Sequence, residues 1–259
     1  MLESNKLIKV PGAVGTLLWA RYSFSPNRLK YCGPDANLDL FERAAGEVND
    51  KKMREILADF EAAFPYIQFI AKENKIKDPF DWKVVEAYWL GNDLLTNIPA
   101  SKFYRYLEDH FAKRAKMGVM ETITQKIPHG AKPHHSFHVL EIYRRVGSIR
   151  GHNSGSVLET INNCLIMWGK ITGVKNNVLE VEYKPIVLQK RLMLGGFQKK
   201  NIGYKFHHKT LLDNPQIGDW VSIHWNWACD ILTSRQLQNL QKWTLWHLKL
   251  ANLNFTPGV

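Results

Sequence analysis

The chain has 259 residues, 45% of them hydrophobic and 12% aromatic, which places it among folded globular proteins and excludes a disordered or collagen-like chain. Its 35 Lys and Arg outnumber 24 Asp and Glu, for a formal charge of +11. The excess is one-sided: residues 1–100 carry 13 basic against 14 acidic side chains, and residues 101–259 carry 22 against 10. Such a field favours an acidic partner surface, a nucleic acid or an anionic ligand without choosing among them. No apolar run approaches the roughly 20 residues that cross a bilayer. Three irregularly spaced cysteines (Cys32, Cys164 and Cys229) argue against a disulfide framework and suit a reducing, cytoplasmic setting.

In chain order, Val10–Ala20 is mostly apolar, but Pro11, Gly12 and Arg21 argue against a signal peptide, and it reads as the first buried segment. The stretch Asn5–Tyr31 is punctuated by Pro and Gly and runs into a loop-like SPNRLKYCGPD at Ser25–Asp35. There Asn27, Arg28, Tyr31 and Cys32 form a candidate functional loop, with cations near Cys32 able to lower its thiol pKa. The alternative is a turn that anchors the N-terminus on the following helices.

From Asn37 to about Lys116 the apolar spacing is helical and predicts four or five bundled helices. Asp81 is placed to cap one of them and Ser101 another, with Gly118 as a stop. Residues 127–155 break this rhythm. His129, His134, His135, His138 and His152 crowd together there, and Ser136–Val146 leans to strand on its Phe, Val, Ile and Tyr content. On a helix, His134 and His138 would share a face and could chelate one metal, with His135, His129, Glu141 or Cys32 as further ligands. On a strand they would stand about 13 Å apart, too far for one ion. A polar connector is the alternative reading.

After His152–Gly155, the texture changes to short β-rich runs. Asn176–Asn177 is a turn between two of them, Trp220–Trp227 alternates, and Thr233 with Gln236 forms a capping box before a C-terminal helix. The fold class predicted is α+β: a mainly helical domain over 1–155, then an SH3/OB-like β-barrel with a C-terminal helix over 156–259.

Within the second domain, Cys164-Leu165, then Gly169-Lys170-Ile171, and about 50 residues later Gly218-Asp219-Trp220-Val221-Ser222-Ile223-His224 occur in order. This arrangement resembles the HypC/HupF-type hydrogenase-assembly chaperones. The resemblance implies that Cys164 and His224 hold an iron carrying diatomic ligands. It also implies a HypD-like maturation protein or the hydrogenase large-subunit precursor as partner. Thiolate is a strong soft donor for such an iron, and imidazole can ligate it or bond to its ligands. The whole chain also resembles an uncharacterised bacterial family with the motifs PNRLKYCGP (26–34), VVEAYWLGN (84–92) and PHHSFHV (133–139).

Three functions follow as expectations. The first is an accessory protein of nickel–iron metallocentre assembly, acting through Cys164 and His224. The second is a metal-dependent enzyme built on the histidine cluster where the domains meet; no phosphate loop, GxSxG or HExxH motif supports an enzyme directly, and no catalytic residue is assigned. The third is a nucleic-acid-binding module, in which tryptophans of a basic barrel stack on bases.

Overall fold

The computed structural model describes residues 11–113, 118–143 and 157–253, with side chains from residue 14. The expected domain boundary near residue 155 lies outside the described residues, as do Arg144, Arg145 and His152.

The fold is α+β. Helix α1 (Pro11–Arg28) runs through the segment expected to be the first buried one and on into the start of the loop-like Ser25–Asp35 stretch. Pro26 sits in its last turn, and Trp19, Ala20, Tyr22 and Phe24 are fully buried. The apolar content of the segment outweighs its Pro and Gly because this helix lies at the centre of the molecule, where packing overrides local propensity. Four helices follow at the expected places: α2 (Asn37–Ala45), α3 (Lys51–Ala58), α4 (Phe64–Glu73) and α5 (Trp82–Trp89). Asp81 caps α5, its carboxylate accepting from the Lys83 amide. The next helix, α6 (Ala100–Phe111), begins after Pro99 rather than at a Ser101 cap, since the proline presets φ for the first turn. It also ends before the expected Gly118 stop, and Gly118 instead precedes α7 (Val119–Thr124).

Helix α5 stops at Gly91, whose φ of +86° suits glycine alone. A Cβ there would lie 2.0 Å from Cδ1 of Trp243. The turn therefore admits the Trp243 ring, and with it the last helix of the chain, against the backbone.

The segment expected to be a strand at Ser136–Val146 is helical over its described part. A short α8 (His135–Phe137) passes directly into a π-helix over His138–Tyr143. Its β-branched and aromatic residues pack inward on all sides instead of alternating, with Phe137, Val139, Leu140 and Ile142 all buried. Wide π turns inside helices often mark functional sites.

Helix α9 (Val157–Cys164) leads into the sheet. β1 (Met167–Lys175) and β2 (Val178–Tyr183) pair antiparallel around the Asn176–Asn177 turn. β3 (Ile186–Leu188) and β4 (Leu192–Leu194) form a small hairpin, as do β6 (Lys205–Phe206) and β7 (Lys209–Thr210). β5 (Gln198–Gly203), β8 (Trp220–His224) and β9 (Trp227–Ile231) complete the main sheet, whose order is β1-β2-β5-β9-β8. β8 pairs back onto β1, and Gly203 meets Trp227 in parallel, so the sheet closes on itself. Helix α10 (Ser234–Ala251) starts with the expected capping box of Thr233 and Gln236.

Alternation along β8 decides what faces what. Val221 and Ile223 point into the closed sheet, where they meet Ile171, Leu179, Val181 and Ile202. Ser222 and His224 point the other way, toward α1. One continuous cluster runs from α1, α4 and α5 to Trp168, Trp227, Cys229, Leu240 and Trp243, so the helices and the outside of the sheet share a core. Arg21 of α1 donates to Asp230 of β9 at 2.6 Å across the same boundary.

Candidate metal centre

Cys164 ends α9, and His224 ends β8. They meet because their neighbours are joined: the Trp225 amide donates to the Asn163 carbonyl at 2.8 Å. The turn that follows β8 places Trp225 and Asn226 at φ of +51° and +57°, unusual values for a tryptophan. Trp225 is held there by the hydroxyl of Ser25, which donates to its carbonyl, and by Tyr31, stacked on its ring at 3.9 Å. The indole of Trp225 also donates toward the Cys164 sulfur.

His135 joins them from the start of α8. Single donor atoms of His135, Cys164 and His224 all lie within 4.8 Å of one another. Three chain segments with no sequence proximity thus present two imidazoles and one thiol to one point. Both histidines are buried, at 5% and 2% exposure, whereas Cys164 keeps partial exposure and lines a cavity of about 440 Å³.

Hydrogen bonds set the tautomers. His224 donates from Nδ1 to the Tyr22 carbonyl at 2.6 Å, so its Nε2 carries a lone pair. That Nε2 is buried and makes no hydrogen bond, although the Cys164 backbone lies close enough to favour its protonated form slightly. An imidazole anchored through one nitrogen with the other bare is the usual arrangement of a metal-ligating histidine. His135 donates from Nε2 to the Cys164 carbonyl at 2.8 Å, which leaves its lone pair on Nδ1, 3.2 Å from the Tyr88 hydroxyl. The rings of His135 and His224 meet edge to face at 5.3 Å, with Trp89 against both.

Burial keeps every group here uncharged. It pushes the Cys164 thiol up to about 12, with the nearby Cys32 adding to the rise. It holds His135 down to about 4 and His224 down to about 3, the latter also through its neighbour His135. Borderline transition metals accept such a donor set of two nitrogens and one sulfur, and a bound cation would favour the thiolate that burial opposes.

The other candidates are distributed as follows. His138 lines the same cavity, with Nδ1 3.3 Å from the Tyr66 hydroxyl, and burial holds it down to about 3. His134 points elsewhere: its Nδ1 meets the Ser136 hydroxyl at 2.7 Å, and that hydroxyl meets Nδ1 of His247 at 2.7 Å. The Lys132 amide donates to Nε2 of His247, which completes a buried array holding the segment that carries His135. His134 and His138 therefore engage different partners instead of sharing one ion, because the helix begins only after His134, which caps it. His129 is exposed. In the 25–35 segment, Asn27 donates to the carbonyls of Cys32 and Pro34, and Cys32 lines the cavity. Arg28 lies over the rings of Phe24, Phe206 and Trp227.

The motifs converge. Tyr31, Cys32 and Gly33 come from PNRLKYCGP, Tyr88 and Trp89 from VVEAYWLGN, and His135 and His138 from PHHSFHV, all lining one cavity with Cys164 and His224. Residues 11–257 match the profile of a family of unknown function, DUF6390. The chain belongs to that family. No curated protein and no solved structure matches it. Sequence reading named Cys164 and His224, and placed His135 in the neighbouring cluster. It missed Tyr88, Trp89 and Trp225, whose aromatic character reads equally well as ordinary core.

Proposed function

We propose that this protein holds a transition-metal centre between His135, Cys164 and His224 and serves as an accessory protein in metallocentre assembly. The observation that carries the reading is the 4.8 Å grouping of these three donors beside a cavity, with the Nε2 of His224 buried and bare. The HypC/HupF resemblance adds iron with diatomic ligands as the cargo and a HypD-like protein or the hydrogenase large-subunit precursor as the partner. Its SH3/OB-like barrel would correspond to the closed β1-β2-β5-β9-β8 sheet. Cys164 differs from the family's free N-terminal cysteine: it is internal, at the end of α9, so cargo would reach it through the cavity.

The donor chemistry fits such a group. Thiolate and imidazole suit low-spin iron, and a cavity of about 440 Å³ leaves room for small additional ligands. The test is anaerobic purification followed by metal analysis and infrared spectroscopy. Iron with cyanide or carbonyl bands, lost in Cys164→Ala and in His224→Ala, is expected. A metal-free protein, indifferent to both substitutions, would end this reading.

One observation favours a second reading, a metal-dependent enzyme. His138 faces the cavity without belonging to the close trio, which is where a group that moves protons near a bound metal would stand. Under that reading, metal is retained in His138→Ala while turnover of the substrate is lost.

A further inference from the structure

Three protein donors leave a transition metal with at least one further position to fill. Among the described residues lining the cavity, the side chains with borderline or soft donor atoms besides the trio are Cys32 and His138. The carboxylates at its edge, Asp59 and Glu61, are exposed.

The loop carrying Cys32 is built to a fixed shape. Its first turn reverses at Lys30, with φ of +63°. Asn27, only 3% exposed, gathers it by donating to the carbonyls of Cys32 at 2.9 Å and Pro34 at 2.5 Å. Gly33, at φ of +82°, packs where a Cβ would lie 2.5 Å from the Phe60 ring, so the loop backbone is pressed against the cavity wall. Tyr31 is stacked on Trp225, the residue adjacent to His224. The two residues flanking Cys32 are thus fastened to opposite sides of the cavity mouth. Cys32 and Cys164 also lie near enough to influence one another's charge.

We infer that Cys32 supplies a second thiolate to the centre, making it a two-cysteine, two-histidine site closed by the 29–34 loop. This inference rests on the metal site proposed above. Without metal, Cys32 stands outside the group of donors within 4.8 Å, so binding brings its sulfur closer by rotation of the side chain on the fastened loop. Each thiol gives up its proton to solvent as the metal enters, so that a divalent ion binds with two protons released and no net charge added to the pocket. His138, whose Nδ1 lies 3.3 Å from the Tyr66 hydroxyl, is the competing candidate that the experiment separates from Cys32.

The experiment is anaerobic titration of the chelator-stripped full chain with cobalt(II), read by thiolate-to-cobalt charge-transfer absorption. The wild type is expected to show a two-thiolate intensity, and Cys32→Ser and Cys164→Ser are each expected to lose about half of it. Full intensity in Cys32→Ser, with complete loss in Cys164→Ser, would overturn the inference, as would a spectrum altered by His138→Ala and untouched by Cys32→Ser. Should Cys32→Ser fold poorly, X-ray absorption on the zinc-loaded wild type decides instead. Two sulfur neighbours at about 2.3 Å support the second thiolate, and one sulfur refutes it. Absence of any cobalt spectrum in the wild type would mark failure of the metal site itself.

Discussion

The carbonyl of Tyr22 accepts the Nδ1 proton of His224 at 2.6 Å, while the hydroxyl of the same tyrosine meets Ser222 at 2.9 Å. One residue of α1 thus reads two outward positions of β8. Burial raises the Tyr22 pKa well above its ordinary value, so this hydroxyl stays protonated. Tyr22→Phe removes the Ser222 contact and keeps the carbonyl. It is expected to cost about 1 kcal/mol in denaturant unfolding while leaving metal content unchanged, because Ser222 still donates to the Asp230 carbonyl. A loss of metal in Tyr22→Phe would show that the hydroxyl, and not the carbonyl, orients His224.

Gly91→Ala is expected to destabilise by about 2–4 kcal/mol, the sum of a strained positive φ and overpacking against Trp243. Trimming the ring in a Gly91→Ala/Trp243→Leu double variant relieves only the second part. Chemical denaturation of the two variants, with Trp243→Leu as reference, separates the contributions.

His134, His135, His138, His224 and His247 are buried and neutral, each with its pKa held below the ordinary value by desolvation. The unfolded chain takes up protons at these side chains near pH 6.5, while the folded chain resists protonation until about 4 for His135 and about 3 for His138, His224 and His247. Their contribution to stability is therefore complete above about pH 6.5 and is lost as the pH falls toward that lower range, by up to about 1.4 kcal/mol per histidine per pH unit. Thermal unfolding between pH 8 and pH 4 should show a flat Tm followed by a steep fall. A Tm unchanged down to pH 5 would mean the rings are solvated in the native chain.

Metal binding to Cys164 must displace a proton held with a pKa of about 12, whereas the histidines are already deprotonated at neutral pH. Apparent affinity is accordingly expected to climb by about tenfold per pH unit for this thiol between pH 7 and 9. Competition titration with a chelator at several pH values measures the slope. Cys164→Ala should lower it by about one decade per unit.

His247→Ala removes a ring from the array that links Lys132, Ser136 and His134. The hydroxyl of Ser136 and the Lys132 amide lose partners in the interior, for an expected cost of about 2–4 kcal/mol. Because His135 sits between His134 and Ser136, the same variant should weaken metal binding as well. Ser136→Ala serves as the milder comparison, and equal metal affinity in both variants and wild type would show that the array holds the fold but not the ligand.

The helices at 37–45, 51–58, 64–73 and 82–89, the Asn176–Asn177 hairpin and the Thr233 capping box were legible in the sequence, because apolar period, capping side chains and turn residues act within a few positions of chain. The same local rules read 10–20 as buried without assigning it a helix, took the end of α1 at 25–28 for a loop and leaned to strand at 138–143, where burial on every side erases the periodicity that separates helix from strand or loop. For the site, the sequence by itself determined which side chains had the right chemistry: Cys164, His224, the histidines of 129–138 and Cys32. Only the tertiary structure decided that His135 and not His134 belongs with Cys164 and His224, since the two are neighbours in the chain and differ only in which way the cap at His134 turns them. Proximity across 29 and 60 residues comes from one backbone bond between Asn163 and Trp225 and from the packing of the outward face of β8 on α1; the alternation of β8 is local and visible in the sequence, but what its outward face meets is recorded in no local pattern.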